Sequence, residues 1–207
     1  MKKLNKRDVI FGSASLAGLL LVAPQAFAAV DLAVLNAAPA EGDMAMGPDT
    51  AKVTVIEYAS ASCPHCAAFY KDVFPVLKSE YIDTGKIKFI FREFPHNDPA
   101  LAAFMVARCA PKEKYFALVD VFFKTQDAWL QDPLAGLNKI AQQAGFTKES
   151  FDACLKNETV AKAILDVRKT ADGLGVTGIP TFFINGEMLD GEKKIEDLRA
   201  KIDPLLK

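Results

Sequence analysis

The 207-residue sequence is poor in metal ligands: it has four cysteines and two histidines, His65 and His96. Only Cys63 and Cys66 form a close pair, while Cys109 and Cys154 stand alone, so a structural zinc site has no second pair of ligands to close it. There is no basic run, and the formal net charge is −1, which argues against nucleic acid as the main partner. Beyond the N-terminus no stretch is long and apolar enough to span a bilayer, and no internal repeat is visible.

What is present begins with the N-terminus. Lys2, Lys3, Lys6 and Arg7 precede an apolar run from Val9 to Val22 and then Ala26-Phe27-Ala28. A charged head, a short apolar stretch and a small-x-small end read as a secretory signal, residues 1–28, cleaved after Ala28. An uncleaved anchor is the alternative, but the run is shorter than the ~18 residues a span needs. Removing the leader's four basic and one acidic residues leaves a net charge of −4. Export together with four cysteines suits an oxidising compartment.

Residues 29–48 are rich in Ala, Gly and Pro and read as a partly ordered lead-in. Residues 52–60 alternate as a strand, with Val53, Val55, Glu57 and Ala59 on one face. A helix follows from near Cys63 towards Tyr81, kinked by Pro75, and residues 86–94 form a second strand. From Pro99 to Leu174 the apolar spacing becomes helical, in four or five helices. Its stripes, Leu134-Leu137-Ile140-Ala141-Ala144 and Val160-Ile164-Val167-Ala171, read as core, the second ending at Gly173. Residues 181–185 return to strand, Asn185-Gly186 marks a hairpin, and a last helix covers about 194–206. The resulting division is an α/β first half over 49–96, an inserted helical domain over 97–174 and a second half over 175–207.

The chemistry concentrates in Cys63-Pro64-His65-Cys66. A cysteine at the first turn of a helix meets unpaired N–H groups and the positive end of the helix dipole, both favouring its thiolate. Pro64 suits the first helical position because its missing N–H is not needed there. His65 places an imidazole beside the sulfur and is the main expected source of a large pKa depression. Cys66, one turn on and more buried, is the expected resolving thiol. Thiolate stabilisation favours only the reduced protein, so each unit of lowered pKa makes the couple about 30 mV more oxidising. A purely structural 63–66 disulfide is a competing reading, but it closes too short a loop to stabilise much. Glu57, six residues before Cys63, is either a buried carboxyl that relays a proton to Cys66 or an edge-strand acid facing water. His96 and Trp129 read as a loop residue and a packed aromatic.

Taken together, VIEYASASCPHC, FIFREFP and TGIPTFFING resemble the DsbA-like branch of the thioredoxin superfamily, over roughly Val53 to the C-terminus. The resemblance implies a thioredoxin fold with an inserted helical domain, a buried Glu57 and a cis Pro180 packed against the disulfide. It implies that Ile179, Pro180 and Thr181 bind an extended substrate strand through their backbone. The implied activity is a periplasmic thiol–disulfide oxidase that gives its Cys63–Cys66 disulfide to exported proteins, without metal or cofactor, and is reoxidised by a DsbB-like membrane quinone reductase. Isomerase or reductase activity and a non-enzymatic binding or metal-carrying module are the alternatives. Residues 29–48 are too few for the dimerisation domain of related isomerases, so a monomer is expected. Ile179 stands where valine is common in the family. With the redox pair assigned, Cys109 and Cys154 most simply form a bridge within the helical block, contributing up to about 4 kcal/mol, or else remain buried thiols.

Overall fold

The computed structural model describes residues 30–191 and 193–207, and the expected leader lies outside them. The chain runs α1 (Leu32–Asn36), β1 (Met44–Met46), β2 (Val53–Ala59), α2 (Pro64–Asp72), α3 (Phe74–Leu77) and, after a π-helical turn over Lys78–Ile82, β3 (Ile87–Glu93). Then come α4 (Asp98–Cys109), a 3-10 turn (Lys112–Lys114), α5 (Tyr115–Lys124), α6 (Gln126–Trp129), α7 (Pro133–Gln143), α8 (Lys148–Leu155) and α9 (Glu158–Gly173). The hairpin β4 (Thr181–Ile184) and β5 (Glu187–Asp190) and the helix α10 (Ile195–Leu206) close the chain.

The five strands form one mixed sheet in the order β1-β3-β2-β4-β5. β2 and β3 are parallel, with Glu57 opposite Phe91, and β4 runs antiparallel to β2. This is a thioredoxin fold. β2 and β3 are buried along almost their whole length because helices cover both faces of the sheet, and a strand buried on both sides needs apolar residues at nearly every position. One face, carrying Val53, Val55, Phe89, Phe91 and Phe182, packs with residues of α2, α4, α5 and α10. The other, carrying Ile56, Tyr58, Ile90 and Phe183, packs under Leu35 of α1 and Val167 and Ala171 of α9.

The lead-in is more structured than its composition suggests. Asp31 caps α1 by accepting from the N–H groups of Ala33 and Val34, and β1 joins the edge of the sheet beside β3. The anchor is Arg92. Its buried guanidinium donates to both carboxylate oxygens of Asp43, to the carbonyls of Leu35 and Ala37, and to the Tyr58 hydroxyl. An arginine in β3 thus ties down a segment whose own residues carry no strong signal.

The expected single helix from Cys63 to Tyr81 is broken at Val73, two residues before Pro75. Pro75 has no N–H, and its ring crowds the carbonyl four residues back, at Lys71, so the helix yields on the N-terminal side of the proline.

Six helices, α4 to α9, lie between β3 and β4, one more than the upper expectation, because α6 is a single turn. Asn97, Asp132, Thr147 and Asn157 cap four of them by accepting backbone N–H bonds. In the first apolar stripe Leu137, Ile140 and Ala141 are buried, but Leu134 is 62% exposed and does not belong to the core. In the second, Ile164, Val167 and Ala171 are buried as the spacing requires. Gly173 is its last helical residue, and the left-handed turn falls at Gly175 (φ 86°), with the Val176 N–H reaching the Ala171 carbonyl. Cys109 and Cys154 are joined by a disulfide that links α4 to α8. Trp129 is packed between helices and donates its indole N–H to the Phe122 carbonyl.

Asn185 and Gly186, at φ 46° and 92°, make the tight turn of the β4–β5 hairpin. Leu198 and Ile202 bury one side of α10. Among the described residues no helix is long and apolar enough to cross a membrane.

Candidate active site

The sheet delivers β2 into a turn over residues 60–63, from which α2 begins. Cys63 is the N-cap of α2, with extended backbone (φ −84°, ψ 122°), and Pro64 is the first helical residue. The Cys63 carbonyl accepts the first intrahelical bond, from the Ala67 N–H at 3.0 Å. Both Cys63 and Cys66 are free thiols in this structure. Cys63 keeps 6% of its surface accessible and Cys66 none. The Ile179–Pro180 peptide is cis and places its loop against the dithiol, the Cys63 thiol meeting the Ile179 carbonyl at 3.6 Å. Thr181, fully buried, donates its hydroxyl within the same loop, where the Gly178 carbonyl and the Asp190 carboxylate both lie in range, at 2.7 and 2.9 Å.

The electrostatics separate the two cysteines. The Cys63 pKa is lowered to about 6, chiefly by the hydrogen bond from the Cys66 thiol. Burial opposes this, and the backbone N–H groups of Cys66 and His65 add to it. The His65 charge is the smallest of the named contributions. The histidine expected to dominate is therefore secondary, its charge coming after the Cys66 thiol and the backbone amides of Cys66 and His65. The Cys66 pKa is pushed well up, first by burial and then by the Cys63 sulfur.

Glu57 lies on β2, the central strand, so the edge-strand alternative does not hold. Its carboxyl is completely buried, and although the Tyr70 hydroxyl faces it closely enough to lower its pKa, the pair falls short of hydrogen-bond geometry, and no other described group bonds either one. Burial raises the Glu57 pKa well above the usual carboxylate range, with Tyr70 offsetting this only in part. A buried, unpartnered carboxyl of this kind is held in its neutral form, able to give up a proton. Glu57 in turn contributes to the raised Cys66 pKa.

Several polar residues at this turn carried no such signal in the sequence. His96 Nδ1 lies 2.7 Å from the Ser60 hydroxyl. Asn97 accepts on Oδ1 from the Ser62 hydroxyl and the Ala100 N–H, which directs its amide nitrogen to His96 Nε2 at 3.2 Å. The imidazole therefore accepts on Nε2 and carries its proton on Nδ1. Gln126, at the start of α6, is 5% exposed and donates to the carbonyls of Ala61 and Cys63. Tyr70, towards the end of α2, is buried beside Glu57.

A thioredoxin sheet, a Cys-x-x-Cys at a helix N-terminus and a cis-proline loop against it define a dithiol–disulfide exchange class. A family model described as Thioredoxin matches residues 39–204. The crystal structure of Wolbachia pipientis alpha-DsbA1 superposes with a TM-score of 0.76 at 31% identity, covering 84% of this chain and 95% of that one. BdbD from Bacillus subtilis shares the fold, with a TM-score of 0.70 at 22% identity over 82% of this chain and 96% of its own. A relative in Rickettsia bellii, provisionally named a protein-disulfide oxidoreductase, is 33% identical over an alignment 177 positions long that covers 79% of this chain and 68% of the relative. One in Rickettsia conorii with a similar name is 34% identical, and the chain spans 61% of its length. The chain belongs to the thioredoxin family, in its DsbA-like branch of thiol–disulfide oxidoreductases.

Proposed function

We propose that the protein is a disulfide oxidase of the periplasm that donates a Cys63–Cys66 disulfide to exported polypeptides. The observation that carries this reading is the Cys63 sulfur, held at the start of α2 with a pKa of about 6 beside a Cys66 thiol whose own pKa is raised. A stabilised thiolate makes Cys63 the better leaving group and favours the reduced protein, which is the condition for an oxidant.

An extended substrate pairs with the backbone of Ile179, Pro180 and Thr181, bringing its thiolate to Cys63. Attack forms a substrate–Cys63 disulfide and breaks the Cys63–Cys66 bond, whose electron pair stays on Cys66. Glu57 supplies the proton that converts Cys66 to the thiol. The substrate's second thiolate then attacks its own sulfur in the mixed disulfide, and Cys63 leaves as the thiolate. The substrate loses two electrons and the cysteine pair gains them. A DsbB-like membrane quinone reductase returns the pair to the disulfide.

Equilibration with glutathione tests the direction. A potential more oxidising than about −180 mV supports the oxidase, and one near −270 mV would falsify it in favour of a reductant. Isomerase activity is the second reading, favoured by a structural neighbour from Novosphingobium aromaticivorans titled a protein-disulfide isomerase, 25% identical to this chain. Recovery of activity by a scrambled-disulfide substrate given the reduced protein would support that alternative.

A further inference from the structure

Gln126 lies outside the dithiol itself, yet it makes buried hydrogen bonds from the helical block to the redox turn. Its side-chain nitrogen donates to the Ala61 carbonyl at 2.9 Å and to the Cys63 carbonyl at 3.0 Å. The two carbonyls belong to the turn that sets where the Cys63 sulfur sits relative to the His65 and Cys66 N–H groups. Both of these amides help to lower the Cys63 pKa. The Cys63 carbonyl already receives the Ala67 N–H, so Gln126 adds a second donor to the oxygen whose direction defines the N-cap geometry.

The residue type suits the task. A neutral amide can present both hydrogens to two carbonyls without the desolvation cost of a lysine. Asparagine is one methylene shorter. The opposite side of the turn is held by His96 on Ser60 and Asn97 on Ser62, through groups at least partly open to solvent. Gln126 is the buried one of these ties, and it reaches the cysteine itself.

We propose that Gln126 is a positioning residue for the redox centre: by fixing the Ala61 and Cys63 carbonyls it aims the amides at the start of α2 onto the Cys63 sulfur, and so couples the inserted helices to the redox potential. This deepens the dithiol reading above and rests on Cys63 being the exchanging thiol. It does not depend on whether the protein oxidises, isomerises or reduces.

The test uses the full chain with Gln126→Leu, which removes both donors at similar volume, and Gln126→Glu, which keeps the shape but, as a buried acid facing two carbonyls, is held neutral and has a single O–H to share between them. Cys63 ionisation is followed by thiolate absorbance in the reduced protein, the glutathione equilibrium is measured, and both redox forms are unfolded in denaturant. For Gln126→Leu the expected result is a Cys63 pKa higher by about one, and a glutathione equilibrium shifted about tenfold towards the disulfide form of the protein. Gln126→Glu, which keeps one of the two donors, should raise the pKa in the same direction and by less. The reduced form of each variant should lose more stability than the oxidised form. An unchanged pKa and equilibrium, with both redox forms destabilised equally, would make Gln126 a purely structural tie and overturn the proposal. If Gln126→Leu does not fold, Gln126→Glu alone decides it by the same readouts. A wild-type potential in the reductant range would remove the oxidase reading while leaving the difference between wild type and variants to judge Gln126.

Discussion

Two buried glutamates on neighbouring strands meet opposite fates. Glu93, at the end of β3, is fully buried and completely partnered: Arg108 donates to its two oxygens at 2.5 and 2.9 Å, and the Tyr115 hydroxyl donates at 2.6 Å. Glu57, in the middle of β2, is equally buried and meets no cation: it faces only the Tyr70 hydroxyl, and that pair falls short of hydrogen-bond geometry. A fold that needed only stability would satisfy both carboxyls or replace them. The difference teaches that Glu93 belongs to the architecture, joining β3 to α4 and α5. Glu57 carries a cost that the fold tolerates beside Cys66, where the exchange proposed above would use a neutral buried acid.

The comparison can be broken from its paired side. Replacing Arg108 with methionine strands Glu93 as a buried acid without its cation. The expected loss is about 3–5 kcal/mol, read from urea unfolding of the oxidised protein. The corresponding change on the other side, Glu57→Gln, should leave the fold at least as stable and instead slow oxidation of a dithiol peptide by roughly 10²-fold at neutral pH. Full activity in that variant would remove Glu57 from the proton path.

The same variant sharpens the comparison through pH. The folded-state pKa of Glu57 is raised above its unfolded value. Its neutral form therefore favours the fold below the unfolded carboxyl pKa of about 4.3, and that contribution is lost as pH rises towards the folded value. The unfolding midpoint of the wild type should fall relative to Glu57→Gln as pH is raised from 4 to 8. Parallel curves would show that Glu57 is already ionised in the fold.

The two tyrosines give the smaller effects. Tyr115→Phe deletes a bond to a paired carboxylate and should cost about 2 kcal/mol. Tyr70→Phe deletes a buried hydroxyl that faces Glu57 without good hydrogen-bond geometry, so its cost should be smaller, under about 1 kcal/mol. Equal losses in the two variants would mean that Tyr70 has a bonded role equivalent to that of Tyr115.

Much of the fold was legible because its signals are local. Alternation marked β2 and β3, and Asn185-Gly186 marked the hairpin. The cysteine-proline pair at residues 63–64 announced a helix start, since each of these rests on contacts within a few residues. The apolar stripes of α7 and α9 were also readable, apart from Leu134, whose periodicity does not reveal that its side of the helix faces water. The order within the lead-in was not legible, because what ties it down, Arg92, comes 49 residues after its partner Asp43.

The sequence by itself determined the redox motif, its place at a helix N-terminus and the family to which the chain belongs, because residue type and short spacing carry that chemistry. Only the tertiary structure decided which groups control the sulfur. It moved the weight from the His65 charge to the Cys66 thiol and, after it, the backbone amides. It made β2 central and so closed Glu57 off from water. It also brought Gln126 across 63 residues of chain to the Cys63 carbonyl. Burial and long-range hydrogen bonds arise when distant segments pack, and no local pattern encodes them.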